Sequence, residues 1–225
     1  MLSHYLKPRR GTQLIKTDSA ELIINIEPFY NDSLFLINGY EFITKDVTHT
    51  DLIIKPNSYF MIINNSDEEI NVKYGMDISH LEVIYDPYKF ENLKKKKIDP
   101  KKFIRKYSIP DGYTEILSKW YSIKFSYPDQ NLIYVKPEMG ISIQLHKERS
   151  ENWEILKGKP IIVNGNKVHY NVKSGSCFSN PINHYHAVIN PNKKKDDYVM
   201  LIEKWTGNFD EDDINRAFNP NQYYT

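Results

Sequence analysis

Four side chains of types that bind metal ions or transfer protons lie close together in one stretch of the sequence. Gln144, His146, Glu148 and Glu151 all occur within GISIQLHKERSENWEILKG, residues 140–158. Because side chains alternate along a β-strand, positions 144, 146 and 148 are predicted to point to one face. Amide, imidazole and carboxylate groups gathered in this way are ligands for a divalent cation. The spacing therefore raises the hypothesis of a metal site.

The segments around this stretch have the composition of short β-strands. Runs such as ELIINIE, YFMIINN, NLIYVKP and YVMLIEKW combine β-branched and aromatic residues, and Asn, Gly, Pro and Asp turns separate them. This pattern is typical of an antiparallel sandwich or barrel. Helical periodicity is sparse. We therefore predict an all-β fold whose strands position the polar side chains.

A basic segment interrupts the strand pattern near the middle of the chain. ENLKKKKIDPKKFIRKY, residues 91–107, is rich in lysine and contains Pro100. The interpretation that we favour is a solvated linker or helix face between a β domain at 1–90 and a second domain at 108–225, and a patch for a nucleic acid or an anionic surface is the alternative. The whole chain has 30 basic and 29 acidic residues, a formal net charge of +1, which gives no electrostatic case for a nucleic-acid partner.

The cysteine content and the hydropathy of the sequence indicate the cellular compartment in which we expect the protein. Cys177 is the only cysteine, so an internal disulfide is excluded and a reducing compartment is favoured. The N-terminal residues MLSHYLKPRRGTQ lack the apolar stretch of a signal peptide, and nowhere does an apolar run approach the roughly 20 residues that span a bilayer. We expect a soluble cytoplasmic protein without a membrane partner.

The two halves of the chain contain a short, gapped repeat. Residues 181–190 follow the pattern Pro-x-Asn-x-x-His-x-x-x-Asn, and residues 56–65 follow Pro-x-Ser-x-x-Met-x-x-x-Asn. Met61 therefore corresponds to His186, so the first copy lacks this imidazole. The repeat predicts a second, degenerate copy of the same β-barrel in the N-terminal half, and chance similarity between β-rich sequences is the alternative.

At these residues the chain resembles the cupin superfamily, whose double-sheet jelly rolls carry two characteristic motifs. Residues 140–158 are similar to the first motif, with His146, Glu151 and Gly158 in place. Residues 175–190 are similar to the second motif, with matches at Gly175, Pro181, His186 and Asn190. The resemblance implies a cupin-type jelly-roll barrel, and with the repeat it implies two tandem barrels.

More narrowly, the chain resembles the C-terminal cupin domain of type II mannose-6-phosphate isomerase / mannose-1-phosphate guanylyltransferase. That family has a stretch like S-L-Q-x-H-H-H-R-x-E-H-W-x-V-x-x-G, which aligns with residues 142–158. PDGYTEIL at 110–117 resembles its P-W-G-Y-x-E-V-L opening, and EDDINR at 211–216 resembles its E-D-D-I-x-R. The resemblance extends over residues 109–216, about half of the chain.

The resemblance implies a metal-dependent sugar-phosphate isomerase that interconverts an aldose and a ketose through an enediol. The implied ligand set is Gln144, His146, Glu151 and His186, with Glu148 as a replacement for Gln144. These nitrogen and oxygen donors favour Zn²⁺, and Fe, Mn and Ni are alternatives.

Other residues are assigned to the reaction and to the substrate. Arg216 is implied to stabilise the anionic intermediate or the phosphate, and Glu148 is a candidate for proton transfer if it does not bind the metal. Arg149 and Lys147 are candidates for binding the phosphate of a phosphorylated sugar. A homodimer is expected, because the exposed sheet edges of such barrels need protection.

The sequence also departs from the family pattern. Lys147 and Glu148 replace two histidines of the H-H-H run, Asn152 replaces the histidine of E-H-W, and Asp111 replaces the opening tryptophan. No guanylyltransferase activity is expected, because the corresponding half is absent. The alternative function is a non-catalytic bicupin that serves as a structural or carbohydrate-binding protein, in which the polar residues are buried or ion-paired. A third candidate function is that of a cupin dioxygenase or sugar epimerase.

Overall fold

The computed structural model describes residues 2–30, 32–208, 210 and 212–222. The chain divides into two compact units. Unit 1 comprises residues 1–89, 165–168 and 217–225, and unit 2 comprises residues 90–164 and 169–216. The segments predicted to carry the metal site all belong to unit 2.

Most of the regular structure is β-strand, so the predicted all-β class is confirmed. The helical elements are α1 (Pro100–Tyr107) and a 3-10 turn (His49–Leu52). The strands are β1 (Leu2–Leu6), β2 (Leu14–Lys16), β3 (Leu22–Glu27), β4 (Leu34–Asn38), β5 (Glu41–Ile43), β6 (Ile53–Ile54), β7 (Tyr59–Asn64), β8 (Ile70–Tyr74), β9 (Glu82–Tyr85), β10 (Glu115–Ser118), β11 (Ser122–Ser126), β12 (Asn131–Val135), β13 (Met139–Gly140), β14 (Ile143–Leu145), β15 (Arg149–Lys157), β16 (Ile161–Asn164), β17 (Lys167–His169), β18 (Cys177–Asn180), β19 (His186–Asn190), β20 (Val199–Gly207) and β21 (Asn215–Phe218).

Unit 1 is organised by two antiparallel arrangements of strands. One has the order β1-β8-β3-β6, and the other runs β5-β4-β7-β2-β9. Every second side chain of β3 and β8 is buried, because side chains alternate along a strand. Leu22, Ile24 and Val72 on these buried faces form a core together with Phe60 of β7. Whether unit 1 is a degenerate copy of the barrel in unit 2 stays a prediction.

Unit 2 contains a six-stranded antiparallel sheet with the order β10-β11-β12-β20-β15-β18. Strand β19 pairs with β13, β14 and β16 in a separate arrangement. On one face of this sheet, side chains that include Ile133, Trp153 and Leu201 form a hydrophobic cluster. Their neighbours in the sequence point to the other face, because side chains alternate along a strand. This first face also carries the polar residues described below.

The opposite face of the same sheet is covered by helix α1. Phe103 of this helix is buried against Phe125, Tyr134 and Tyr198. Asp99 caps the helix, because its side chain accepts a hydrogen bond from the backbone of Lys102. Part of the predicted basic linker is thus an amphipathic helix, and the predicted domain boundaries themselves stay a prediction. No helix among the described residues has the length and apolarity needed to cross a membrane.

Candidate metal centre

Three side chains from the two predicted motifs meet inside unit 2. One ligand atom from each of His146, Glu151 and His186 lies within 4.8 Å of the others. Each of the three residues is only 1% exposed. Polar side chains are mostly exposed, because burying them without a partner costs free energy. Their burial therefore indicates that these three groups have partners.

Strand pairing explains how distant segments of the sequence reach this point. Gln144 on β14 lies directly opposite His186 on β19, while Glu151 belongs to β15 in the six-stranded sheet. Trp153 packs edge-on against the ring of His186, with ring centroids 5.1 Å apart. The two imidazole rings are themselves 5.0 Å apart. The site therefore lies where β14 and β19 approach the sheet that carries β15.

Backbone carbonyl groups fix the orientation of both imidazoles. Nδ1 of His146 donates a hydrogen bond to the carbonyl of Asp213, and Nδ1 of His186 donates one to the carbonyl of His184 at 2.9 Å. A carbonyl can only accept, so each Nδ1 carries a proton. Each Nε2 then faces Glu151, at 3.0 Å from Oε1 for His146 and 3.5 Å from Oε2 for His186.

The electrostatics of the cluster keep Glu151 ionised and His186 neutral. Burial alone would raise the pKa of Glu151, but its hydrogen bond with His146 and neighbouring positive charge, including that of Arg149, lower that pKa to about 2. Burial lowers the pKa of His186 to about 4. Burial opposes protonation of His146 as well, yet the hydrogen bond with Glu151 raises its pKa.

The donor set fits a divalent metal ion. Nε2 of His186 is buried and has no hydrogen-bond partner among the described residues. Such an atom is costly to bury, and a bound cation would satisfy it. Two imidazole nitrogens and a carboxylate are ligands of Zn²⁺ and also of Fe, Mn and Ni. The hydrogen bonds at each Nδ1 are of the kind that orient metal-binding histidines.

Arg149 contacts two of the same ligand atoms. Its Nε donates to Oε1 of Glu151 at 3.0 Å, and its Nη2 lies 3.2 Å from Nε2 of His146. A third group, Nη1, donates to the carbonyl of Asp210. Arg149 is buried, with 4% of its surface exposed. Its guanidinium therefore supplies a fixed positive charge at the cluster and lies beside the predicted metal ligands.

Residues 146–148 form a loop, where the alternation pattern predicted a continuous strand. Strand β14 ends at Leu145 and β15 begins at Arg149, because the carboxylate of Asp213 accepts hydrogen bonds from the backbone of Lys147 and Glu148 at 2.9–3.1 Å. These bonds turn the chain, so residues 144, 146 and 148 do not share one strand face. Glu148 is exposed, and its carboxylate accepts a hydrogen bond from Asn208 at 3.0 Å.

The remaining predicted residues lie at different distances from the cluster. Nε2 of Gln144 is 3.5 Å from Nε2 of His146, and its Oε1 accepts a hydrogen bond from Ser142 at 2.5 Å. Arg216 is exposed and lines a pocket that opens beside Glu151. Lys147 is exposed and is not among the residues that line this pocket. Glu211 of the predicted E-D-D-I-x-R stretch lies outside the described residues.

The pocket contains a second buried carboxyl group, which the sequence reasoning missed. Glu203 of β20 accepts a hydrogen bond from Asn131 at 2.8 Å and shares the indole N–H of Trp153 with Glu151, at 3.3 and 3.2 Å. Burial raises the pKa of Glu203 to about 8, and the charge of Glu151 adds to the effect. The alternation of Val199, Leu201 and Glu203 along one strand indicates that Glu203 is buried, but it does not place this residue in the pocket.

Comparison with known families confirms the resemblance found in the sequence. Residues 117–219 match the family model described as mannose-6-phosphate isomerase C-terminal, a cupin-type domain. With the all-β architecture, this match confirms the predicted cupin-type fold. No curated protein matches the sequence. The matched residues include His146, Glu151 and His186.

Three solved structures with some likeness to the chain share little sequence identity with it. A cupin-2 domain from Rhodospirillum rubrum is 18% identical over 43% of this chain and 65% of that chain, less than two thirds of its length, with a TM-score of 0.35. A cupin-superfamily sugar phosphate isomerase from Silicibacter pomeroyi is 14% identical over 47% of this chain and 81% of that chain, with a TM-score of 0.35. A salicylate 1,2-dioxygenase from Pseudaminobacter salicylatoxidans is 8% identical over 91% and 69%, with a TM-score of 0.32.

Proposed function

We propose that the protein is a metal-dependent sugar-phosphate isomerase, similar to mannose-6-phosphate isomerase, that interconverts an aldose and a ketose through an enediol. The observation that carries the proposal is the buried cluster of His146, Glu151 and His186, in which both Nε2 atoms face one carboxylate. The family match over residues 117–219 supports the reaction class.

The proposed metal ligands are His146, Glu151 and His186, with Gln144 beside them. A divalent ion bound there supplies Lewis-acid stabilisation of negative charge on the sugar oxygens. The chain itself holds each imidazole in the required tautomer through a backbone carbonyl. Arg216 at the pocket edge is proposed to stabilise the negative charge of the enediolate, as its motif implies.

Proton transfer between the two carbons is assigned in this proposal to Glu203. Glu203 lines the pocket, whereas the carboxylate of Glu148, the candidate from the sequence, is exposed and bonded to Asn208. As a carboxylate, Glu203 would take the proton from C2 and return it to C1, while a second proton moves from O2 to O1. The sugar thereby changes from aldose to ketose with all atoms conserved.

The alternative function, a non-catalytic binding protein, is favoured by one observation. Arg149 contacts Glu151 and His146 at distances of 3.0 and 3.2 Å, so part of the cluster has a cationic partner without a metal. In that case the buried polar groups would serve stability and the pocket would bind a carbohydrate without converting it. Metal content separates the two functions.

The test begins with elemental mass spectrometry of untagged protein beside the His146→Ala/His186→Ala variant. We expect about one divalent metal per chain in the wild type and none in the variant. The metal-loaded protein is then incubated with mannose 6-phosphate, and fructose 6-phosphate is measured. Glu203→Gln should lose the conversion and keep the metal. Absence of both metal and conversion in the wild type would favour the non-catalytic alternative.

A further inference from the structure

The pocket beside the cluster carries an excess of positive charge. Its lining contains four cationic side chains, which belong to Lys119, Lys124, Arg149 and Arg216. It contains two carboxyl groups, those of Glu151 and Glu203. The cationic side chains of the lining therefore outnumber its carboxyl groups by two. A pocket with this balance attracts an anion.

The two lysines lie outside the predicted motifs, Lys124 on β11 and Lys119 in the turn that precedes this strand. Lys124 of β11 pairs with Ile133 of β12, which in turn pairs with Leu201 of β20. Residues joined directly across an antiparallel sheet lie on the same face, so Lys124 shares its face with Leu201 and hence with Glu203, two residues further along the strand. Lys124 therefore points toward the side of the sheet that carries the cluster.

Lys119 reaches the pocket from the turn between β10 and β11. Its backbone N–H donates to the carbonyl of Ser122 at 2.9 Å, which closes the turn and holds both residues at the pocket wall. Its ammonium group lies 5.8 Å from the ring centre of Tyr121, another lining residue. Lys119 and Lys124 are both half-buried, so they are less screened than lysines on an open surface.

The distance from these lysines to the cluster suits an elongated anion. Strand β11 is separated from β15 by β12 and β20, which amounts to three strand spacings or about 14 Å. Lys124 and Glu151 both line the pocket, so a phosphorylated hexose bound there would lie along this interval. One end of such a molecule would contact ammonium groups while its other end reached Glu151.

We propose that Lys119 and Lys124 form an anion subsite that holds the phosphate group of a monophosphorylated sugar, with the carbonyl end of the sugar directed toward Glu151. The inference rests on the proposed function, because it names the substrate class of the same pocket. Ammonium groups bind phosphate oxygens as point charges through three donors each. We assign phosphate binding to these two lysines instead of Lys147, because Lys147 is not among the residues that line the pocket.

The test measures binding rather than conversion. Isothermal titration calorimetry of the metal-loaded protein uses mannose 6-phosphate, mannose and inorganic phosphate as separate probes. Lys119→Gln and Lys124→Gln are each expected to weaken mannose 6-phosphate binding about tenfold, and the double variant on the order of 100-fold. Binding of inorganic phosphate should fall in parallel, whereas affinity for mannose should not change. Lys173→Gln, an exposed lysine of unit 2, is the matched control.

The outcomes separate this inference from the proposed function. If the double variant folds, as judged by circular dichroism, and binds mannose 6-phosphate like the wild type, the subsite is refuted even if isomerisation is observed. If the wild type binds neither mannose 6-phosphate nor inorganic phosphate, the subsite is refuted as well. If the lysines control binding but no ketose forms, the subsite stands and the isomerase assignment fails. Lys119→Arg/Lys124→Arg should retain binding, which excludes a general loss of structure.

Discussion

Arg149 donates a hydrogen bond of 3.0 Å to Glu151 inside the protein, where both side chains are almost completely buried. The ionised carboxylate is thereby paired with a permanent cation from its own strand. Removal of one partner from a buried ion pair leaves the other charge uncompensated, which costs more than the pair contributes. The buried charge of Glu151 is therefore compensated by a side chain of the protein itself.

The first prediction concerns Arg149→Met in protein treated with a chelator. Loss of the guanidinium should lower the free energy of unfolding by about 3 kcal/mol, because Glu151 then lacks its fixed counterion. Added Zn²⁺ should recover most of this loss by supplying a cation at the same carboxylate. Urea unfolding with and without the metal measures both effects. Arg105→Met, at an exposed position of α1, is the control, and equal stability of the two variants would contradict the role given to Arg149.

The second prediction concerns Asp213, whose carboxylate holds the loop that follows His146. Asp213→Ala removes the acceptor for two backbone N–H groups, so the free energy of unfolding should fall by about 1.5–3 kcal/mol. Metal affinity should fall about 10-fold to 100-fold, because the loop also positions His146. Thermal unfolding and a competition titration with a chromogenic chelator measure the two effects. Asp212→Ala, which alters an exposed neighbour, should change neither, and a metal affinity unaffected by Asp213→Ala would show that His146 is positioned without the loop.

The third prediction is a pH dependence caused by Glu203 in chelator-treated protein. Its pKa is raised from 4.5 in the unfolded chain to about 8 in the folded protein, so between these values the folded state keeps a proton that the unfolded state has released. The stability contributed by the protonated form is therefore complete below pH 4.5 and is lost as the pH rises toward 8. The slope is at most about 1.4 kcal/mol per pH unit.

Glu203→Gln provides the measurement for this prediction. Glutamine keeps the shape of the protonated acid and does not ionise, so the difference in unfolding free energy between variant and wild type should grow in favour of the variant from pH 5 to pH 8. The comparison cancels the titration of His146 and His186, which both proteins share. A difference that stays constant over this range would mean that Glu203 titrates near its ordinary value.

Much of the site was predictable because its residues follow motif spacing. The pattern over residues 140–158 and 181–190 selected His146, Glu151 and His186 from distant segments, and the structure brings these three together. Strand composition was equally informative, since β-branched and aromatic runs became the strands of both units. These features are local in the sequence, and local features can be read without knowledge of tertiary contacts.

Other parts of the site depend on tertiary contacts that the sequence does not display. Glu148 was predicted on the face of His146 from alternation, but the carboxylate of Asp213, more than 60 residues away in sequence, turns the chain between them. Lys124 and Glu203 lie on strands without a chemical motif, and the pairing of β11, β12 and β20 brings them to the pocket that Glu151 also lines. Long-range pairing of this kind cannot be inferred from spacing along one strand.

The last prediction tests the close approach of two backbone segments at the cluster. Gly207 has φ of +104°, and a Cβ atom at this position would clash with the backbone carbonyl of Glu148 and lie 3.2 Å from Cα of Arg149. Gly207→Ala should therefore lower the free energy of unfolding by about 2 kcal/mol or more and displace the loop that carries Glu148. Gly175→Ala is the matched control, because Gly175 also has positive φ, +84°, but a Cβ there would meet nothing within 4 Å. Thermal unfolding of the two variants separates the cost of the clash from that of the backbone conformation. Similar losses in both would mean that the backbone conformation, not the approach of Glu148, requires glycine at position 207.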